Sequence, residues 1–180
     1  MGNDTTDQGV HSRIVPSQLA QLADFRAYWQ AAVEYQKRHG YPSNSAFPEA
    51  LLRAEIGKGT HFSGMRADGV CTGYLSVTLE DPAIWGEREH GDAIYIHRMV
   101  ANPAVRGGAL TRDVLAWAKE HARSLGRRYV RMDTWAVNRR LVDYYVSCGY
   151  RHIGEQAIGK DPRLLPHYHG ITLALFENPV

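Results

Sequence analysis

Val105-Arg106-Gly107-Gly108-Ala109-Leu110-Thr111-Arg112 joins a run of β-formers, Ala93 to Ala101, to a helical pattern that starts at Leu110. Small residues at such a junction let the backbone approach a ligand closely. The free N–H groups that open a helix attract anions. The combination suits a phosphate or pyrophosphate. Strand-to-helix turns with two glycines are common, so the segment needs support from its surroundings.

Downstream, Leu110, Val114, Leu115, Trp117, Ala118 and Ala122 mark the buried side of a helix that Gly126 ends. Tyr129 to Thr134 reads as a strand and Asn138 to Cys148 as a helix stopped by Gly149. Tyr150 to Glu155 and Ile171 to Glu177 read as strands, with Pro162 and Pro166 in the loop between them. Upstream, Arg13-Ile14-Val15 reads as a short strand. Leu19, Leu22, Phe25, Trp29, Ala32, Val33 and Gln36 keep helical spacing up to Gly40. A second helix is expected over 47–56, capped from Asn44 or Ser45, with Leu51, Leu52 and Ile56 inward. His61 to Met65, the turn Ala67-Asp68-Gly69 and Val70 to Leu79 read as a hairpin. Residues 80–92 read as a polar loop holding Asp81-Pro82 and Trp85.

Helices that interrupt a strand series predict an α/β (α+β) fold: a mixed sheet of about six or seven strands with helices on both faces. A chain of 180 residues supports one domain with a sizeable core, expected over 11–180 after a disordered tail at 1–10. A formal net charge of +2 gives no strong pull toward nucleic acid or membrane, although Arg-rich spots occur at 123–131 and 139–140. The start is polar and acidic, unlike a signal peptide, so the expected location is cytoplasmic. Cys71 and Cys148 form no CxxC pair and read as free thiols.

The second informative stretch is Arg131-Met132-Asp133-Thr134-Trp135-Ala136-Val137-Asn138, which leads into Tyr144-Tyr145 and Cys148-Gly149-Tyr150. Taken singly, Asn138 reads as a helix cap and Tyr145 as a core aromatic. Taken with the glycine segment, they make the chain resemble the GNAT superfamily of acyl-CoA N-acyltransferases. That family has an Arg/Gln-x-x-Gly-x-Gly/Ala loop for the CoA pyrophosphate, and Arg106, Gly107, Gly108, Ala109, Leu110 and Thr111 stand in its place. It then has an Asn followed by a Tyr seven residues on and a Gly eleven on, as Asn138, Tyr145 and Gly149 are here. The resemblance is specific over roughly 93–153. Ala109 and Thr111 depart from the usual glycine or alanine.

The resemblance implies a sheet splayed at its central strand and acetyl-CoA as cosubstrate. It implies that the pantetheine arm pairs with backbone near Met99, Val100 and Ala101, as an added strand would. Arg106 to Arg112 would hold the diphosphate, with Asn138 and Tyr145 completing the cofactor site. Tyr145 would be the general acid for the leaving thiolate. His97 lies where many members carry a Glu that takes the amine proton. An imidazole titrates near pH 6.5, which suits that work, but a His on a half-buried strand can equally be packing. Trp135, Trp85 and His167 are candidates for lining the acceptor pocket. Trp135 reads equally as a core aromatic, and Trp85 equally as an interface contact. His167-Tyr168-His169 lacks the third ligand of a zinc site, so no metal is expected.

The expected reaction is direct acetyl transfer from acetyl-CoA to the primary amine of a small molecule. Near-neutral charge favours a small molecule over a protein partner. Two alternatives remain at this level: a protein or peptide N-acetyltransferase, and a non-catalytic CoA-binding regulator with the same fold. Family members are often dimers, so a homodimer is among the expected states.

Overall fold

The computed structural model describes residues 11–42, 47–105, 109–164 and 168–180. The expected tail at 1–10, Asn44 and Ser45, Arg106 to Gly108 and His167 lie outside the described residues.

Seven strands form one mixed sheet in the order β1-β2-β3-β4-β5-β7-β6. They are β1 (Arg13–Pro16), β2 (His61–Met65), β3 (Cys71–Thr78), β4 (Ala93–Ala101), β5 (Tyr129–Trp135), β6 (His152–Ala157) and β7 (Thr172–Pro179). Only the β4–β5 pair is parallel among them. A helix makes that crossover, as parallel pairs require.

The helices follow from their apolar stripes. α1 (Leu22–Arg38) buries Leu22, Phe25, Trp29 and Val33, one face at successive turns. α2 spans Glu49–Gly57. Together they cover one face of the sheet, where Phe25, Trp29 and Leu52 meet Tyr74 and Val100. α4 (Leu110–Ser124) and α5 (Arg139–Ser147) cover the other, over Leu75, Val77, Ile94, Ile96, Val130, Met132 and Phe176. Gly126, at φ +67, takes the left-handed conformation that ends α4.

Four expectations are corrected. α2 starts after Pro48, which has no side chain to cap it, so the expected polar cap is replaced by a fixed-φ entry. Leu51 is 39% exposed rather than inward. The 80–92 loop contains a four-residue helix, α3 (Pro82–Trp85), begun by Asp81 with Pro82 in its first turn. Tyr150 precedes β6 instead of opening it; it is buried, and its hydroxyl donates to the Thr111 carbonyl at 3.2 Å.

Near the α3 end of the sheet, Arg131 on β5 is 4% exposed. Its guanidinium donates to Glu177 at 2.9 Å, to the Tyr95 hydroxyl at 2.9 Å and to the Arg88 carbonyl at 2.9 Å. It also lies 4.8 Å from the Trp85 ring centroid. A buried cation needs such a complete shell.

Candidate active site

β4 and β5 are in register only from Ala93–Tyr129 to Ile96–Met132. Beyond that rung they part. β5 continues to Trp135 along β7, while β4 continues to Ala101 along β3. A one-residue irregularity accompanies the parting: Ser76 pairs with His97 and Tyr74 with Val100, so two steps on β3 match three on β4. Arg98 takes the extra position at φ +52, a left-handed conformation costly for a residue with a Cβ. Its side chain is pinned by an ion pair with Glu55 and lies 5.2 Å from the Phe47 ring centroid. Glu55 also accepts a 2.7 Å bond from the Ser76 hydroxyl. The bulge thus puts His97 and Arg98 on neighbouring positions of the strand segment that leaves β5.

The resulting cleft is lined by His97, Arg98 and Met99 from β4, by Asp133 and Trp135 from β5, and by Tyr145 from α5. Trp29, Tyr168 and Leu173 close it. Past Ile96, the β5-facing edge of β4 has no strand partner among the described residues. That edge includes Met99, Val100 and Ala101. Met99 packs toward α4 and α5, and Val100 toward α1.

Tyr145 lies on the α5 face that meets the sheet, 8% exposed, with its ring edge-on to Tyr150 and Phe176 at 5.6 and 5.7 Å. Burial, then the Tyr144, Asp133 and Cys148 groups, raise its pKa above the ordinary phenol range. It therefore stays protonated at neutral pH. Tyr144, one position away, is 44% exposed and donates to the Thr111 hydroxyl at 3.2 Å. Thr111 is thus tied to α5. Arg112 is exposed, and its guanidinium reaches the Ser147 carbonyl at 3.4 Å. Leu110 sends its side chain into the core, so only its backbone remains for a ligand. Ala109 precedes the helix without a side-chain cap, leaving the first amides of α4 free of that competitor.

Asn138 caps α5: its side-chain oxygen accepts from the Leu141 amide at 3.1 Å. Asn138→Ala is expected to cost about 1 kcal/mol of stability, read as a lower urea midpoint.

Trp135 is 7% exposed and lines the cleft. Trp85 does not. It is 3% exposed, packed 5.7 Å from the Tyr95 ring and under the Arg131 guanidinium. The short α3 helix, Pro82-Ala83-Ile84-Trp85, turns Ile84 and Trp85 inward together.

His97 is half-buried, its side chain 14% exposed, and its pKa falls to about 3, first through desolvation and then through Arg98. It is neutral. Its Nε2 lies 3.0 Å from the Thr78 hydroxyl, which itself donates to the Glu80 carbonyl at 3.0 Å. The hydroxyl has one proton, so Nε2–H donates to it and the imidazole lone pair sits on Nδ1.

Two carboxylates that sequence reasoning did not select stand beside His97. One donor atom each from Asp81, His97 and Asp133 lie within 4.8 Å of one another. Asp133 has its pKa raised to about 7 by burial and then by Asp81. Asp81 is raised to about 6, chiefly by burial, with a hydrogen bond from the Ile84 backbone opposing, Glu89 adding, and Arg163 and Arg98 opposing further. These three are the described group whose donor atoms converge. No helix is long and apolar enough to cross a membrane among the described residues.

Comparison with known proteins agrees with this geometry. The family model described as Acetyltransferase (GNAT) family matches residues 24–150. An N-acetyltransferase of uncharacterised activity from Bacillus subtilis strain 168, YesJ, is 30% identical over 79 residues, an alignment spanning 44% of each chain. A GNAT-family acetyltransferase from Listeria monocytogenes 4b F2365 superposes with a TM-score of 0.68 at 16% identity, covering 96% of both chains. A phosphinothricin acetyltransferase of the same superfamily from Sinorhizobium meliloti, solved with AcCoA, superposes with a TM-score of 0.65 at 14% identity, covering 94% of this chain and 89% of that one.

Proposed function

This chain belongs to the GNAT acetyltransferase family, and from that premise we propose that it moves an acetyl group from acetyl-CoA to a primary amine of a small molecule by direct attack. The observation that carries this reading is the parting of β4 from β5 after Ile96, with Tyr145 on the wall of the cleft so formed. An unpaired strand edge next to a protonated phenol is what an extended thioester arm needs.

Met99, Val100 and Ala101 offer main-chain groups to the arm. The amides that open α4, from Ala109, Leu110, Thr111 and Arg112, would face the diphosphate. Arg106, Gly107 and Gly108 belong to the same proposed cradle. A β4 amide near Met99 would point at the thioester oxygen, where negative charge develops. The nitrogen loses two protons in the reaction. One leaves before attack; His97 stands on the cleft wall, but burial depresses its basicity, so it does not keep that proton. The other leaves as the C–N bond forms and the C–S bond breaks. Tyr145 donates its proton to the departing sulfur and is restored from solvent. The products are the acetamide, the CoA thiol and one released proton. Asn138 sets the start of α5 and hence the height of Tyr145.

A thiol-release assay with acetyl-CoA and a panel of primary amines tests the reading. Release that depends on the amine supports it. CoA binding with no release for any amine would replace it with a CoA-binding regulator, and release only with peptides would replace it with a peptide acetyltransferase. CoA at a hundredfold over its dissociation constant is expected to stabilise the native state by about 2.7 kcal/mol. A melting temperature unmoved by CoA would remove the donor site altogether.

A further inference from the structure

We propose that Asp81 and Asp133, together with His97, form the subsite that recognises the acceptor as an alkylammonium ion, and that Asp133 carries away its proton. The inference deepens the acetyl-transfer reading above and rests on it.

The three residues come from separate places in the fold. Asp81 starts α3 with an extended φ of −153°, His97 stands on β4 beside the bulge, and Asp133 lies on β5 just past the last shared rung. They meet at the fork of the sheet, with His97 and Asp133 on the cleft wall that also carries Tyr145. The Asp81 side chain is 10% exposed, and its Oδ2 lies 3.9 Å from His97 Nε2. That oxygen is buried with no hydrogen-bond partner among the described residues. A desolvated carboxylate oxygen with no partner, in a group that holds a second carboxylate, is a costly arrangement. The nearby cations are committed elsewhere: Arg98 to Glu55 and Arg163 to Asp161. A guest cation is what the site lacks.

The spacing admits a cation held through hydrogen bonds, with the one pair of known length midway between the spacing such bonds give and a metal's. An ammonium nitrogen makes N–H···O bonds of about 2.8 Å. Acceptors set tetrahedrally at that radius stand about 4.6 Å apart. Ligands on a tetrahedral zinc at about 2.0 Å would stand about 3.3 Å apart. Here the spread reaches up to 4.8 Å, with one pair at 3.9 Å. The ammonium has three N–H donors, and the site offers it the oxygens of two carboxylates. Charge adds a discrimination: a carboxylate next to the amine would be repelled by two acids. The expected acceptor is an alkylamine with no acidic group near its nitrogen.

The proton step balances simply. The ammonium N–H bond breaks, and its electron pair stays on nitrogen as the lone pair that attacks the thioester. The proton passes to a carboxylate oxygen of Asp133. A pKa near 7 at that carboxylate is matched to such a transfer.

Calorimetric titration of the full chain, loaded with CoA, tests the proposal with butylamine, 1,4-diaminobutane, 1-butanol and butanoate as probes. Both amines are expected to bind, and the alcohol and the acid are expected not to. Asp81→Asn and Asp133→Asn should each weaken amine binding tenfold or more while leaving CoA affinity within twofold. That retained affinity also reports that the variants fold. Amine binding unchanged in both variants would overturn the proposal. So would equal binding of butylamine and butanol by the unaltered protein, a result that needs no variant. A zinc or manganese titration runs alongside: tight metal binding lost in the same variants, with no amine binding, would make the cluster a metal site instead. Failure of CoA itself to bind would count against the acetyl-transfer reading, and is seen before any amine is added.

Discussion

Tyr145→Phe is expected to lower turnover in the thiol-release assay by about a hundredfold or more, with little change in acetyl-CoA binding. The substitution removes one oxygen. The ring keeps its edge-on contacts with Tyr150 and Phe176, and the hydroxyl has no partner among the described residues whose loss would disturb the fold. The melting temperature should therefore stay within a degree or two. An unchanged turnover would take the acid role away from this residue. A large fall in melting temperature would mean that the phenol is structural. The raised pKa sets the direction of pH dependence: the acid form persists through neutral pH, so any loss of rate below pH 7 comes from groups other than Tyr145.

Arg131→Ala is expected to cost about 3 to 5 kcal/mol of folding stability. The change removes one of the two cations that pair with Glu177, the other being Arg151, and leaves the Tyr95 hydroxyl and the Arg88 carbonyl without this donor. It also empties the space beneath Trp85. Adding Glu177→Gln should recover part of the loss by removing a carboxylate that only Arg151 then faces. Urea unfolding reads both effects. A loss under 1 kcal/mol would mean that the shell around Arg131 is solvated in a way its 4% exposure denies.

Most of the fold was legible because its signals are local. β2 and β4 run where the β-formers run, His61 to Met65 and Ala93 to Ala101. The stripe of α1 and the glycine after α4 are read from spacing alone. The misreadings fall where a local rule yields to context. Asn44 or Ser45 would have been good caps, yet the helix starts after Pro48. Trp85 lies in a stretch that is polar at both ends, yet the single apolar turn Pro82–Trp85 buries it.

The site was half legible. Tyr145 and His97 could be named because each stands at a fixed offset from a recognisable pattern. Asp81 and Asp133 could not, since 52 positions separate them and only the sheet brings them together. One sign was available for Asp133. On β5, Val130 and Met132 alternate with Arg131 and Asp133. In a sheet covered on both faces, two charges on the second face demand partners. Arg131 has a full set, and Asp133 faces a second acid, Asp81.

The fork between β4 and β5 also bears on mechanics. Four rungs of backbone pairing join the two halves of the sheet, at one end only. They are jaws on a common hinge. A molecule lying between them would touch the β4 backbone on one side and Tyr145 and Asp133 on the other. On the proposed chemistry, the first reactant to arrive therefore sets the gape that the second one meets.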